Sequence, residues 1–106
     1  AEIAIGEMET QVSPGQPLSF TVYGTPDVTE MSLWDGINDR EAFVHDASAD
    51  VWRVDYRVPL RSKQEPIGLS VTAKNESGRW RRVWVFLHTR SEGPVAKVEA
   101  DSLTGR

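Results

Sequence analysis

From Val51 to Val58 the side chains change character at every step. Trp52, Val54, Tyr56 and Val58 fall on one side of the chain, and Arg53, Asp55 and Arg57 on the other. A β-strand sends successive side chains to opposite faces, so this stretch predicts a strand with one face in an apolar core and one in water. Pro59 closes it, because proline has no N–H to give to a ladder. The same period returns along the chain. Leu18, Phe20 and Val22 oppose Ser19, Thr21 and Tyr23; Met31 and Leu33 oppose Glu30, Ser32 and Trp34; Ile67, Leu69, Val71 and Ala73 oppose Gly68, Ser70, Thr72 and Lys74. A looser alternation through Ile3, Ile5, Met8 and Val12 reads as a first edge strand broken near Gly6, and Glu41 to His45 as a short edge strand. Between these runs stand Ser13-Pro14-Gly15-Gln16-Pro17, Gly24-Thr25-Pro26-Asp27, Asp35-Gly36-Ile37-Asn38-Asp39, Asp46-Ala47-Ser48-Ala49-Asp50 and Asn75-Glu76-Ser77-Gly78, all turn-forming in composition.

Nowhere do apolar residues hold the i, i+3, i+4, i+7 spacing of an amphipathic helix. About seven short strands at intervals of roughly 8–12 residues predict an all-β fold, an antiparallel two-sheet β-sandwich. One sheet would take the first two strands, the short edge strand and the Trp52 strand. The other would take the Met31, Val71 and Val83 strands, with Ile67–Lys74 in its middle.

At 106 residues there is room for one core. Residues 1–92 read as the sandwich, and 93–106 as an extra strand (Val95 to Ala100) or an exit linker. A start at Ala1-Glu2 without Met and a linker-like ending suggest a domain of a longer protein. The absence of cysteine excludes disulfides, thiolate metal sites and a cysteine nucleophile, and leaves the compartment open. No apolar run approaches the roughly 20 residues of a membrane-spanning helix. A net charge of −4 weighs against binding to a phosphate backbone.

The stretch Arg79 to Thr89 departs from this grammar. Val83, Val85 and Leu87 give it one apolar face, while Trp80, Trp84 and Phe86 make the opposite face aromatic. With the valine side turned inward, Trp34 would flank a centre of Ser70 and Thr72 on one side, and Trp80, Arg82, Trp84 and Phe86 would flank it on the other. Small residues between aromatics form a shallow trough suited to a sugar ring or a partner's apolar side chain. Two structural alternatives stand beside this reading. The aromatics would be covered by the 95–100 segment or by the first strand, or a bulge would turn Trp84 inward.

Other signals are weaker. Arg79-Trp80-Arg81-Arg82 mixes cations and an aromatic as nucleic-acid surfaces do, but it is four residues long in an acidic chain, and outward arginine stems shielding the indoles are the favoured reading. Asp35, Asn38, Asp39, Asp46 and Asp50 would offer oxygen ligands to Ca²⁺, yet match no EF-hand spacing and are ordinary turn formers. His45 and His88 have no third ligand at zinc-site spacing. There is no Gly-x-Ser-x-Gly elbow and no phosphate-binding glycine loop, so no catalytic residue, metal or cofactor is expected.

Three segments together carry a family resemblance: Val12-x-Pro14-Gly15-Gln16-Pro17-Leu18-x-Phe20-x-Val22, Asp50-x-Trp52-x-x-x-Tyr56-x-Val58-Pro59, and Gly68-x-x-x-Thr72-Ala73-x-Asn75-x-x-Gly78. The chain from Val12 to Thr89 resembles the bacterial immunoglobulin-like and fibronectin III-like modules of multidomain extracellular proteins, without the cysteine pair of antibody domains. The resemblance implies a non-catalytic module for spacing, adhesion or protein contact, secreted or in the cell envelope. Its partner would be a neighbouring domain or another protein, with carbohydrate as the alternative ligand, and neither nucleic acid nor membrane insertion is implied.

Overall fold

The computed structural model describes residues 1–61 and 64–89. No helix occurs among them. Nine strands follow in order: β1 (Ile3–Ile5), β2 (Gln11–Val12), β3 (Pro17–Gly24), β4 (Val28–Trp34), β5 (Glu41–Ala42), β6 (Val44–Asp46), β7 (Val51–Arg57), β8 (Ile67–Asn75) and β9 (Trp80–Thr89). They form a four-stranded sheet ordered β1-β3-β7-β6 and a five-stranded sheet ordered β2-β9-β8-β4-β5. The fold is the expected all-β sandwich, with β8 at the centre of the larger sheet.

The strand count exceeds the expected seven because two predicted edge strands each change sheet midway. The first pairs with β3 as β1 and makes a last bond from the Gly6 N–H to the Thr21 carbonyl. It then crosses to the other sheet and returns as β2, which runs parallel to β9. That pair is the exception to an otherwise antiparallel ladder. Gly6 permits the crossing because a Cβ there would sit 2.7 Å from the Thr21 hydroxyl and 3.0 Å from its carbonyl oxygen. On the opposite side, β5 bonds to β4 and β6 bonds to β7. Between them Phe43 turns into the core, edge-on to Phe20 at 5.9 Å, so the expected assignment of this whole segment to the Trp52 sheet holds only for its second half.

The core follows the period-2 reading. Leu18, Phe20 and Val22 of β3 and Trp52, Val54 and Tyr56 of β7 meet Met31 and Leu33 of β4, Leu69, Val71 and Ala73 of β8 and Leu87 of β9. Val83 and Val85 also point inward but are half-buried, and Val85 packs against the core with the partly buried Ala1, Ile3, Ile5 and Met8. The expected extra strand or linker in 93–106 lies outside the described residues.

Candidate functional site

The outer face of the five-stranded sheet is fixed by register. Trp80 pairs with Lys74, which pairs with Glu30; Arg82 pairs with Thr72, then Ser32, then Ala42; Trp84 pairs with Ser70, then Trp34; Phe86 pairs with Gly68. β8 and β9 pair without a register shift over their whole length, so no bulge turns Trp84 inward. Nor does the amino-terminal strand cover the ring, because β2 lies beside β9 as the sheet edge. Trp80, Trp84, Phe86 and Trp34 remain 59, 54, 51 and 41% exposed. The 95–100 segment lies outside the described residues.

These aromatics fall into two groups. Trp84 and Phe86 lie nearly parallel, at 11° with centroids 6.2 Å apart. They lean over Gly68, where a Cβ would meet Trp84 at 3.3 Å and Phe86 at 3.4 Å. The missing side chain is what lets the two rings settle into a shelf. Trp34 and Trp80, in contrast, each carry a guanidinium: Arg40 stands 4.7 Å from the Trp34 ring and Arg82 stands 5.2 Å from the Trp80 ring. One face of each of these indoles is therefore occupied by a cation, whereas Trp84 and Phe86 carry no guanidinium among the described residues and form the open pair of rings.

Ser70 and Thr72 are buried although they point outward, because the flanking large side chains cover them. Ser70 donates to the Trp34 carbonyl at 3.3 Å, and Thr72 Oγ1 accepts from Arg82 Nε at 2.9 Å. They form a floor with its hydroxyls engaged. Trp80 sits two rows away from Ser70, so the single trough expected from the sequence is divided. Beside the shelf lies a groove of about 490 Å³ lined by Glu30, Ser32, Arg40, Thr72, Lys74 and Arg82. Three of its walls are cationic. Its one acid, Glu30, is 3.9 Å from Lys74.

The arm carrying Arg40 is anchored by a carboxylate the sequence offered as a turn residue or a Ca²⁺ ligand. Asp35 is 4% exposed and accepts from the backbone N–H groups of Ile37 and Asn38, both at 2.8 Å, from Asn38 Nδ2 at 3.2 Å, and from Tyr56 Oη at 2.7 Å. The Asn38 carbonyl in turn accepts the Trp34 indole N–H at 3.0 Å. Burial pushes the Asp35 carboxyl up, but the hydrogen bonds from Asn38, Tyr56 and Ile37 outweigh it and hold the group below the usual carboxylate range. Tyr56 is pushed well above the ordinary phenol value by burial, and then by its bond to Asp35 and that residue's charge. All four acceptor positions of Asp35 are satisfied by protein donors, which leaves none for a cation. No cluster of three metal-ligating side chains occurs among the described residues. Asp46 is likewise a turn former, lowered to about 2 by the Ser48 hydroxyl and then Arg53.

Arg40 and Lys74 were absent from the sequence-derived set. An arginine after a polar loop and a lysine at a strand end carry no signal of their own; only the register of β4, β8 and β9 gathers them. No family model matches the chain, and no curated protein is detectably similar to it.

Proposed function

We propose that this is a non-catalytic immunoglobulin-like module of a larger bacterial secreted or cell-envelope protein, serving spacing, adhesion or protein contact through the outer face of the five-stranded sheet. The observation that carries the reading is the Trp84–Phe86 shelf, two large rings left in water on a sheet whose other face is a complete core. Exposed aromatic patches of this kind mark interaction surfaces. The strand order supports the immunoglobulin-like part of the reading. With β1, β3, β7 and β6 in the places of A, B, E and D, the other sheet runs A′, G, F, C and C′, as in that fold. The partner on this reading is a neighbouring domain of the parent chain or a second protein.

Carbohydrate is a second reading, favoured by the near-parallel setting of the rings, which presents flat faces to a flat ligand. Two stacked rings contribute on the order of 1–2 kcal/mol each, so affinities in the micromolar to millimolar range are expected. The test is an isotope-labelled domain titrated separately with flanking segments of its parent chain and with a glycan panel, following the four indole N–H signals. Shifts at Trp34 and Trp84 are expected, with the Trp34 shift lost in a folded Trp84→Ala/Phe86→Ala variant. Shifts confined to the four-stranded sheet, or a hydrolase activity lost on changing one polar residue, refute the assignment.

A further inference from the structure

The cationic groove beside the shelf has no role in the reading above. Its two arginines are held in place without being neutralised. Arg82 is fixed by Thr72 and the Trp80 ring, and Arg40 by the Trp34 ring. Among the described residues neither lies within ion-pair distance of a carboxylate, whereas Arg53, Arg81 and Lys74 each do. The chain as a whole carries −4, so a groove with three cations and one already engaged acid is a local reversal of sign. A guanidinium over an indole can still point its in-plane N–H donors elsewhere; Arg82 gives its Nε–H to Thr72, which leaves its two terminal NH₂ groups to match the oxygens of a carboxylate.

Arg82 and Trp84 are two residues apart on one strand face, roughly 7 Å in an extended chain. The groove and the shelf are thus adjacent subsites. We propose that this face binds a carboxylated oligosaccharide, with a sugar ring on Trp84–Phe86 and the carboxylate of the same or the next sugar between Arg40 and Arg82. The inference rests on the carbohydrate reading of the shelf and names its ligand class. An acidic peptide is the weaker fit. An arginine groove alone would take an acidic motif, but the adjoining Trp84–Phe86 rings, nearly parallel at 11°, present flat faces that a sugar ring fills and a row of acidic side chains does not.

The test uses the full 106-residue chain and an α-1,4-linked galacturonate tetramer, followed by tryptophan fluorescence and indole N–H shifts at low salt. The fully methyl-esterified tetramer has the same rings without the charge and serves as the comparison. The acid is expected to bind about tenfold more tightly than the ester, and Arg40→Gln and Arg82→Gln each to remove most of that difference. Arg53→Gln, on the opposite sheet, should leave it unchanged. Raising the salt to roughly 0.3 M should weaken the acid but not the ester. Equal binding of acid and ester, with Trp84 shifts in both, overturns this inference while leaving the carbohydrate shelf intact. Binding of neither overturns both. Tighter binding of hexaglutamate than of the tetramer overturns the assignment in favour of an acidic polypeptide.

Discussion

Changing Asp35 to asparagine should cost about 2–4 kcal/mol of folding stability, a large effect for a swap that alters one atom in size and shape. Four donors converge on the buried carboxylate. An amide oxygen at that site can still accept the Ile37 and Asn38 backbone N–H groups. Its NH₂, however, would face Asn38 Nδ2, donor against donor, and Tyr56 Oη would lose an anionic acceptor. Two charge-assisted bonds are thereby lost, at about 1.5–3 kcal/mol each, partly offset because a charge no longer has to be desolvated. Tyr56→Phe removes a single donor and should cost about 1–2 kcal/mol. The double variant should fall short of the sum by about 1 kcal/mol, since each change already breaks the shared bond. Urea unfolding at pH 7 is the assay; with m of about 1–2 kcal/mol per molar, the asparagine variant's midpoint should fall by about 1–4 M. Because the folded carboxyl is depressed, its contribution is complete above the unfolded value of roughly 3.9 and is lost as pH falls through the folded one. The gap between wild type and Asp35→Asn should therefore close below about pH 4. Tyr56 has the opposite sign: its raised folded value gives stability that is complete below roughly pH 10 and drains away as pH climbs further. An asparagine variant within about 0.5 kcal/mol of wild type, or strict additivity with Tyr56→Phe, would refute the account of this loop as carboxylate-anchored.

Trp52→Ala should cost about 3–5 kcal/mol in the same assay, because the ring is buried in β7 and packed on His45 at 4.7 Å; a loss under roughly 1 kcal/mol would mean the faces of that strand are misassigned. Gly6→Ala should destabilise by about 1–3 kcal/mol through its approach to Thr21, and a Thr21→Ala background should restore part of that loss; no recovery would place the strain elsewhere. Iodide should quench Trp34, Trp80 and Trp84 but spare Trp52, read from single-tryptophan variants; protection of Trp84 would remove the shelf from the accessible surface.

Where side chains alternate over five residues or more, the sequence spoke for the structure. β3, β7 and β8 lie where the period placed them, and Trp80, Trp84 and Phe86 are outside because Val83, Val85 and Leu87 face inward. The edges were harder to read for a physical reason. Strands of two or three residues contain no full period, so nothing local distinguished Phe43, which is buried, from Val44, which is 70% exposed. Tyr56 was half legible. An inward hydroxyl requires a polar partner, but several turn aspartates were equally eligible and only the fold selects Asp35. The division of the aromatic face into shelf and groove was not legible at all. It depends on which cation each indole meets: Arg82, two residues along β9, for Trp80, and Arg40, brought back by the 35–40 loop, for Trp34.

The two sheet-switching segments bear on how such a domain behaves in company. Among the described residues the outermost strands are β1, β2, β5 and β6, none longer than three residues, and on each side the chain leaves one sheet for the other after that short pairing. The longer strands behind them are covered only in part: β2 reaches His88 and Thr89 of β9, and no other described strand pairs with the outer side of β9 from Trp80 to Leu87, a row of N–H and C=O groups that a further strand can extend. That open flank matters most where identical or related domains are tethered in series at millimolar local concentration. There, Arg81 and Arg82 on that flank place charge where a neighbour's strand would have to join, which disfavours edge-to-edge growth.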